Sequence, residues 1–260
     1  MEIIIQPDPD VGSAMAARMV ARFVRDDRRI VLGLATGRTP LRLYAELAKM
    51  HRDEGLNFHR VTTFNLDEYV GLPPEHPASY HSFMNEHLFR HINIDLERTH
   101  ILDGMTEDIP ECCSRYERDI RESGGIDLQI LGIGRQGHIG FNEPSSSLAS
   151  RTRLKTLTEL TRSDNAEEFG GVENVPRQVI TMGIGTIMDS GMCLLLAFGK
   201  RKAAAVAQAV EGPVSAMAPA SILQMHEHAT VLVDEEAASE LRLTDYYRQV
   251  FEQKSEWQRP

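Results

Sequence analysis

The chain has 260 residues, 42% of them hydrophobic, which suffices for one large α/β domain or at most two small ones. A formal net charge of −10 with no basic block argues against nucleic acid as the main partner, while leaving room for a local basic pocket that takes an anionic metabolite. No apolar run reaches the length of a membrane span and no signal peptide is visible. The three cysteines (Cys112, Cys113 and Cys193) are odd in number with two adjacent, so a disulfide framework is not expected and a reducing cytoplasm fits.

Along the chain, strand and helix signals alternate. Residues 1–5 read as an edge strand, and Val11, Met15, Met19 and Phe23 recur every fourth residue as one face of a first helix. Residues 30–35 form an apolar strand. It turns through Thr36-Gly37-Arg38-Thr39 into a helix faced by Leu43, Leu47 and Met50, with Thr39 as expected N-cap and Pro40 at the first helical position. A second interior strand spans residues 60–66. After the proline-rich loop 73–77, Ser79 is expected to cap a helix through Phe89. A further helix over 111–122 ends near Gly124-Gly125.

Residues 126–133 read as a buried strand, 178–182 as a strand entering a short helix, and 192–198 as a strand buried on both faces. An alanine-rich helix over 200–210, a last strand at 230–233 and a helix from about Ala237 complete the pattern. No repeat, low-complexity tract or linker interrupts it. The polar, less periodic segment 145–176 reads as a lid or an interface. The sum is one α/β domain over 1–260: three layers around a doubly wound, mostly parallel, Rossmann-like sheet.

Three constellations sit at strand ends, where open α/β sheets place ligands. In Thr36-Gly37-Arg38-Thr39-Pro40, glycine allows close backbone approach, the helix start offers free N–H groups, and two hydroxyls and a guanidinium add donors. A phosphate fits there, although an ordinary turn has the same composition, and the P-loop Gly-Lys-Ser/Thr element is missing. The second, residues 64–72, carries Asp67 and Glu68. They point in different directions, so at most one faces a shared crevice. A partly shielded aspartate is a credible base for a carbon-bound proton, while a solvated acidic turn is the plainer reading of the segment alone. The third, Gly134-Arg135-Gln136-Gly137-His138-Ile139-Gly140-Phe141-Asn142-Glu143-Pro144, places three spaced glycines, a histidine able to pass protons near neutral pH and a carboxylate able to orient it after a strand. His226-Glu227-His228 could hold a metal only in an extended segment and offers no third ligand, so no metal is expected there. Met182, Met188 and Met192 read as core filler.

These motifs, in this order, resemble the glucosamine-6-phosphate deaminase (isomerase) family across nearly the whole chain. The carrying strings are residues 32–40, 63–72, 137–144, 147–158 and 182–188. The resemblance implies the sugar-phosphate isomerase type of fold and a cofactor-free conversion of glucosamine 6-phosphate to fructose 6-phosphate and ammonia. It gives His138 the ring-opening proton, Glu143 and Gln136 its support, Asp67 the proton shuttle from C2 to C1, and Lys202 the substrate phosphate, beside the Thr36, Gly37, Arg38 and Thr39 turn already read as a phosphate site; the family commonly has a small residue where Arg38 stands. It further implies a homohexamer in which Ser146, Arg153, Lys155 and Thr156, with Tyr246 or Tyr247, bind N-acetylglucosamine 6-phosphate between subunits, with sigmoidal kinetics that this ligand relieves. No nucleic acid or membrane partner is implied. A sugar-phosphate lactonase on the same fold and a non-catalytic sugar-phosphate sensor are the alternative functions. A dehydrogenase lacks its Gly-x-Gly-x-x-Gly opening.

Two departures from the family pattern stand out. Gln136 replaces an acidic residue or asparagine and supplies no charge to an imidazolium. Glu167, in Asn165-Ala166-Glu167-Glu168-Phe169, stands where the family string carries a phosphate-binding arginine. At about 4 Å and an effective dielectric near 20, a carboxylate there would repel a phosphate by roughly 4 kcal/mol. Three resolutions follow: Arg38 compensates, the segment shifts so that Arg162 turns inward, or the substrate differs. The first is the expectation, because Arg38 lies in the phosphate turn itself.

Overall fold

The computed structural model describes residues 1–26 and 29–255. The chain opens with strand β1 (Glu2–Gln6) and helix α1 (Pro9–Val24), then β2 (Val31–Leu34), α2 (Leu41–Glu54) and β3 (Thr62–Asn65). Past Leu66 it enters β4 (Asp67–Tyr69), followed by α3 (Tyr80–His87), β5 (Thr99–His100), α4 (Ile109–Glu122) and β6 (Leu128–Gly132). The second half holds β7 (Arg153–Thr156), α5 (Glu159–Asn165), β8 (Gln178–Thr181), α6 (Ile184–Met188), β9 (Met192–Ala197), α7 (Ala203–Glu211), β10 (Ala229–Asp234), α8 (Glu235–Ala238) and α9 (Thr244–Glu252).

Seven strands pair in the order β1-β10-β9-β6-β2-β3-β5, and every pairing in this sheet is parallel. β2 and β10 are buried along their whole length and β9 along all but its first residue, as a sheet covered on both faces requires. Their apolar runs, with Leu43, Leu47, Val20 and Val206 from the flanking helices, make one continuous core. From β2 the chain steps outward to β3 and β5, then returns to the other side of β2 as β6 and continues to β9 and β10. Connections therefore leave β2 and β6 in opposite directions, and the crevice at the carboxyl ends of these two strands is where such a sheet receives a ligand.

The helix ends follow local chemistry. Asp8 caps α1 by accepting from the N–H groups of Asp10 and Val11, both at 2.8 Å, ahead of Pro9. Ser79 caps α3 through the N–H of Ser82, and Gly55 closes α2 in the left-handed conformation, φ 71°. The expected Thr39 cap is not made. α2 begins one residue later, Pro40 takes the cap position, and no side chain caps the first turn; Thr39 lines the crevice instead. The helix expected over 200–210 starts as a 3₁₀ turn, Lys200–Lys202, and the one expected from about Ala237 is the short α8 followed by a separate α9.

A second, three-stranded sheet, β4-β8-β7, is antiparallel. Residues 178–182 thus form a strand as expected, but in this small sheet. The segment 145–176 supplies its β7 and the helix α5. Among the described residues, no helix is long and apolar enough to cross a membrane.

Candidate active site

A cleft of about 610 Å³ opens at the switch point between β2 and β6. Every loop that leaves a carboxyl end there contributes: residues 35–39 after β2, Leu66 and Asp67 after β3, Gly134, Arg135 and His138 after β6, residues 198–202 after β9, and Glu236 after β10. Asp67 and His138 therefore meet in one cavity, together with the phosphate turn and Lys202. A larger cavity of about 900 Å³ lies between α4 and β7 and contains neither Asp67 nor His138.

Asp67 stands where the two sheets join. Leu66 donates its N–H to Leu34 in the large sheet and accepts at its carbonyl from Met182, and Asp67 pairs with Thr181 in the small one. Its carboxyl is buried and accepts no hydrogen bond among the described residues. Burial, and then the charge of Glu68, push its pKa well above the ordinary aspartate value. Strand alternation sends Glu68 to the other face. There it receives the N–H groups of Tyr80 at 2.9 Å and His81 at 3.2 Å, with His81 Nδ1 at 3.0 Å, at the start of α3. The pair is thus not a solvated turn, since both residues are buried in β4.

His138 is held by a tight glycine loop. Gly134 donates to the His138 carbonyl at 2.9 Å, and a Cβ at Gly134 would lie 2.0 Å from His138 Nε2, so only glycine leaves room for the ring. Gly140 adopts φ 54°, and a Cβ there would fall 3.0 Å from Thr181 Oγ1 and 3.4 Å from Asp67 Oδ2. Glu143 Oε2 lies 3.4 Å from His138 Nδ1, long for a hydrogen bond, and neither buried atom has another partner among the described residues. Glu143 Oε1 accepts from the Thr158 N–H at 3.1 Å. Burial alone would raise the Glu143 carboxyl; the interactions with His138, Thr161 and Thr158 outweigh it and hold the group at about 2. Glu143 is therefore a carboxylate poised to orient an imidazole.

Lys202 Nζ donates to the Ile133 carbonyl at 2.7 Å, and burial lowers its pKa, with Asp164 opposing and Arg135 reinforcing the shift. Among the described residues, no group of three or more His, Cys, Asp or Glu could hold a metal ion. His226 is occupied by the Ser190 carbonyl at 2.9 Å and the His228 N–H at 3.0 Å.

The family model described as glucosamine-6-phosphate isomerases/6-phosphogluconolactonase matches residues 10–232. The chain belongs to this family. Within it, the chain is 52% identical over 258 residues to glucosamine-6-phosphate deaminase of Arthrobacter sp. (strain FB24), covering 99% of each. It is 54% identical over 250 residues to that of Hahella chejuensis, covering 96% of this chain and 95% of the relative. A solved structure described as a monomeric glucosamine-6-phosphate deaminase superposes with TM-score 0.91 at 45% identity, over 92% of this chain and all of that one. A 6-phosphogluconolactonase from Thermotoga maritima shares the fold at TM-score 0.70 and 23% identity, over 90% and 99%.

The family's sugar-phosphate chemistry gives each placement its meaning. Thr36, Gly37, Arg38, Thr39, Asp67, His138 and Lys202 line the cleft, and Glu143 stands behind His138. Gln136 is set back: its Oε1 lies 3.4 Å from the Thr158 hydroxyl, away from the cavity wall. Arg162 does not turn toward the cleft; its guanidinium donates to the carbonyls of Val172 and Val175 and pairs with Glu159. Glu167 forms an ion pair with Arg38. Ser146, Arg153 and Lys155 lie away from the cleft, Thr156 faces out from β7, and Tyr246 is exposed on α9, which packs on β1. Three contributors carry no role in the sequence reading: Thr181, whose hydroxyl accepts from the Phe141 N–H; Asn142, which ties that loop to the Ile139 and Met182 carbonyls; and Glu168 in the cleft wall.

Proposed function

We propose that this protein is a glucosamine-6-phosphate deaminase that yields fructose 6-phosphate and ammonia. The observation that carries the reading is that Asp67 and His138 share one cleft with Lys202 and the 36–39 turn. His138, oriented by Glu143, passes the proton that opens the pyranose ring. Asp67 takes the C2 proton and returns one to C1 through an enolamine; water then hydrolyses the resulting imine and ammonium leaves, so the deamination is hydrolytic. Each proton transfer contributes about 10²–10⁴ in rate. Burial makes Asp67 a strong base once ionised, and the substrate's ammonium supplies it with an opposite charge. Incubation with glucosamine 6-phosphate, following ammonia and fructose 6-phosphate, tests this. Hydrolysis of 6-phosphogluconolactone without ammonia release would instead establish the lactonase, and phosphosugar binding with no product would establish the sensor.

Regulation by an anion has its own support. The Ser146 hydroxyl and Arg153 Nη2 are buried without partners among the described residues. Lys155 shares the β7 face with Arg153; burial, and then Arg153, lower its pKa. Arg153 Nη1 donates to Asn142 Oδ1 at 2.9 Å, linking this cluster to the loop that carries Glu143. N-acetylglucosamine 6-phosphate is the proposed ligand, in a hexamer whose neighbouring subunit supplies Tyr246. The description of the 45%-identical relative favours a monomer instead. Sedimentation, with rate curves in the presence and absence of the acetylated ligand, decides between them. The free, buried cysteines support a reducing cytoplasm as its location.

A further inference from the structure

The cleft mouth carries a contact that the reaction does not use. Arg38, on the turn after β2, forms an ion pair with Glu167, on the 3₁₀ segment Ala166–Phe169 that follows α5. The two are far apart in sequence, so the pair bridges the phosphate turn to the polar segment on the opposite rim. Arg38 and Glu168 line the cavity, and both side chains of the pair are open to water, 66% and 79% exposed. The guanidinium that a phosphate would use is therefore already occupied by a carboxylate of the same chain.

We propose that Glu167 is an internal counter-anion for Arg38, which an incoming phosphate must displace; the reading rests on the proposed phosphosugar substrate. A solvated pair of this kind is weak, because water screens it and two long side chains lose freedom in forming it. A phosphate dianion brings more charge and three acceptor oxygens, so it outcompetes one carboxylate for the fork of Arg38. A singly charged or neutral ligand has no such advantage. Glu167 thereby lowers affinity for every anion that uses Arg38, by the cost of breaking the pair. The same pairing shows how a glutamate is tolerated beside a phosphate site: its charge is neutralised by Arg38 when the cleft is empty.

The test is binding of inorganic phosphate, by calorimetry at 0.15 M salt, to the full chain and three variants. Glu167→Gln is expected to bind phosphate about two- to fivefold more tightly, the range an exposed pair supports. Arg38→Ala is expected to bind at least about tenfold more weakly. Adding Glu167→Gln to Arg38→Ala is expected to change binding by less than about twofold, because without Arg38 the carboxylate no longer occupies a phosphate ligand and its own charge, 79% exposed, is screened by water and salt. Unchanged or weakened binding in Glu167→Gln overturns the proposal, and so does a gain that persists without Arg38. Phosphate binding needs no turnover. Absent ammonia release with the gain intact would thus count against the deaminase reading alone.

Discussion

Replacing Asp67 by asparagine is expected to abolish turnover and to stabilise the fold. Asp67 is 5% exposed, and its carboxyl accepts no hydrogen bond among the described residues and sits beside Glu68. Ionising it places an unpaired charge in a largely buried site beside Glu68, which costs about 1–3 kcal/mol. The sign follows from linkage. The folded-state pKa is raised, so the unfolded chain gives up the Asp67 proton first, and wild-type stability falls as pH rises through the unfolded value toward the folded one. Asparagine carries no such penalty. The gap should be near zero below the ordinary aspartate value and grow toward pH 8. At the 2–4 °C per kcal/mol typical of chains near this size, it corresponds to a Tm gain of about 2–12 °C. Calorimetric scans of both proteins at pH 5 and pH 8, with ammonia release measured at each, give the comparison. A lower Tm for the asparagine variant at pH 8 would show that the carboxylate makes stabilising contacts, and the account of Asp67 as a base held at a cost would fail.

Other outcomes follow from the same geometry. Gly134→Ala must push the His138 ring aside, and displacements on the order of 1 Å lower turnover by about 100-fold; the expected readout is kcat, with Tm little changed. Glu143→Gln removes a carboxylate held at about 2, so about 3 kcal/mol of stability should be missing in urea titrations at pH 7; the deficit should shrink as pH falls from the unfolded value toward 2. Ser79→Ala should cost about 0.5–2 kcal/mol through loss of the α3 cap, without altering KM. Arg153→Ala should abolish any response to N-acetylglucosamine 6-phosphate while the free enzyme's ammonia release persists; an intact response would remove β7 from the regulatory site.

The alternation of apolar strands and amphipathic helices was legible in the sequence, because strands buried on both faces read as unbroken apolar runs and their helices repeat every 3.6 residues. The residues of the small sheet were not. β4 is three residues long, and β7, Arg-Leu-Lys-Thr, is polar with side chains half-exposed or exposed, so neither carries a hydrophobic period. Missing β4 made Asp67-Glu68 look like a solvated turn, when both are buried by pairing with β8. The cap at Thr39 misled for a local reason: threonine before proline matches the N-cap pattern, yet α2 begins after Pro40 and Thr39 faces the cleft. The partner of Glu167 was beyond any window of sequence, since Arg38 lies on another loop and only the fold brings the two together.

The charge layout of the cleft bears on which member of the family this chain is. Lys202, Arg38 and the uncapped start of α2 gather positive potential in the cleft, while Asp67 in its wall pairs with no cation among the described residues. A ligand with a phosphate and an ammonium neutralises both at once. A phosphorylated lactone would satisfy the cations but bring no charge to the aspartate, so it gains nothing there. An amino sugar phosphate gains binding energy there, because its ammonium stabilises the Asp67 carboxylate; the Asp67 proton passes to solvent, and the base stands ionised beside the carbon it must deprotonate. Recognition of the amine and activation of the base are then one event. On this argument Asp67→Asn should weaken glucosamine 6-phosphate binding more than it weakens fructose 6-phosphate binding, since only the former carries the charge that the carboxylate lacks.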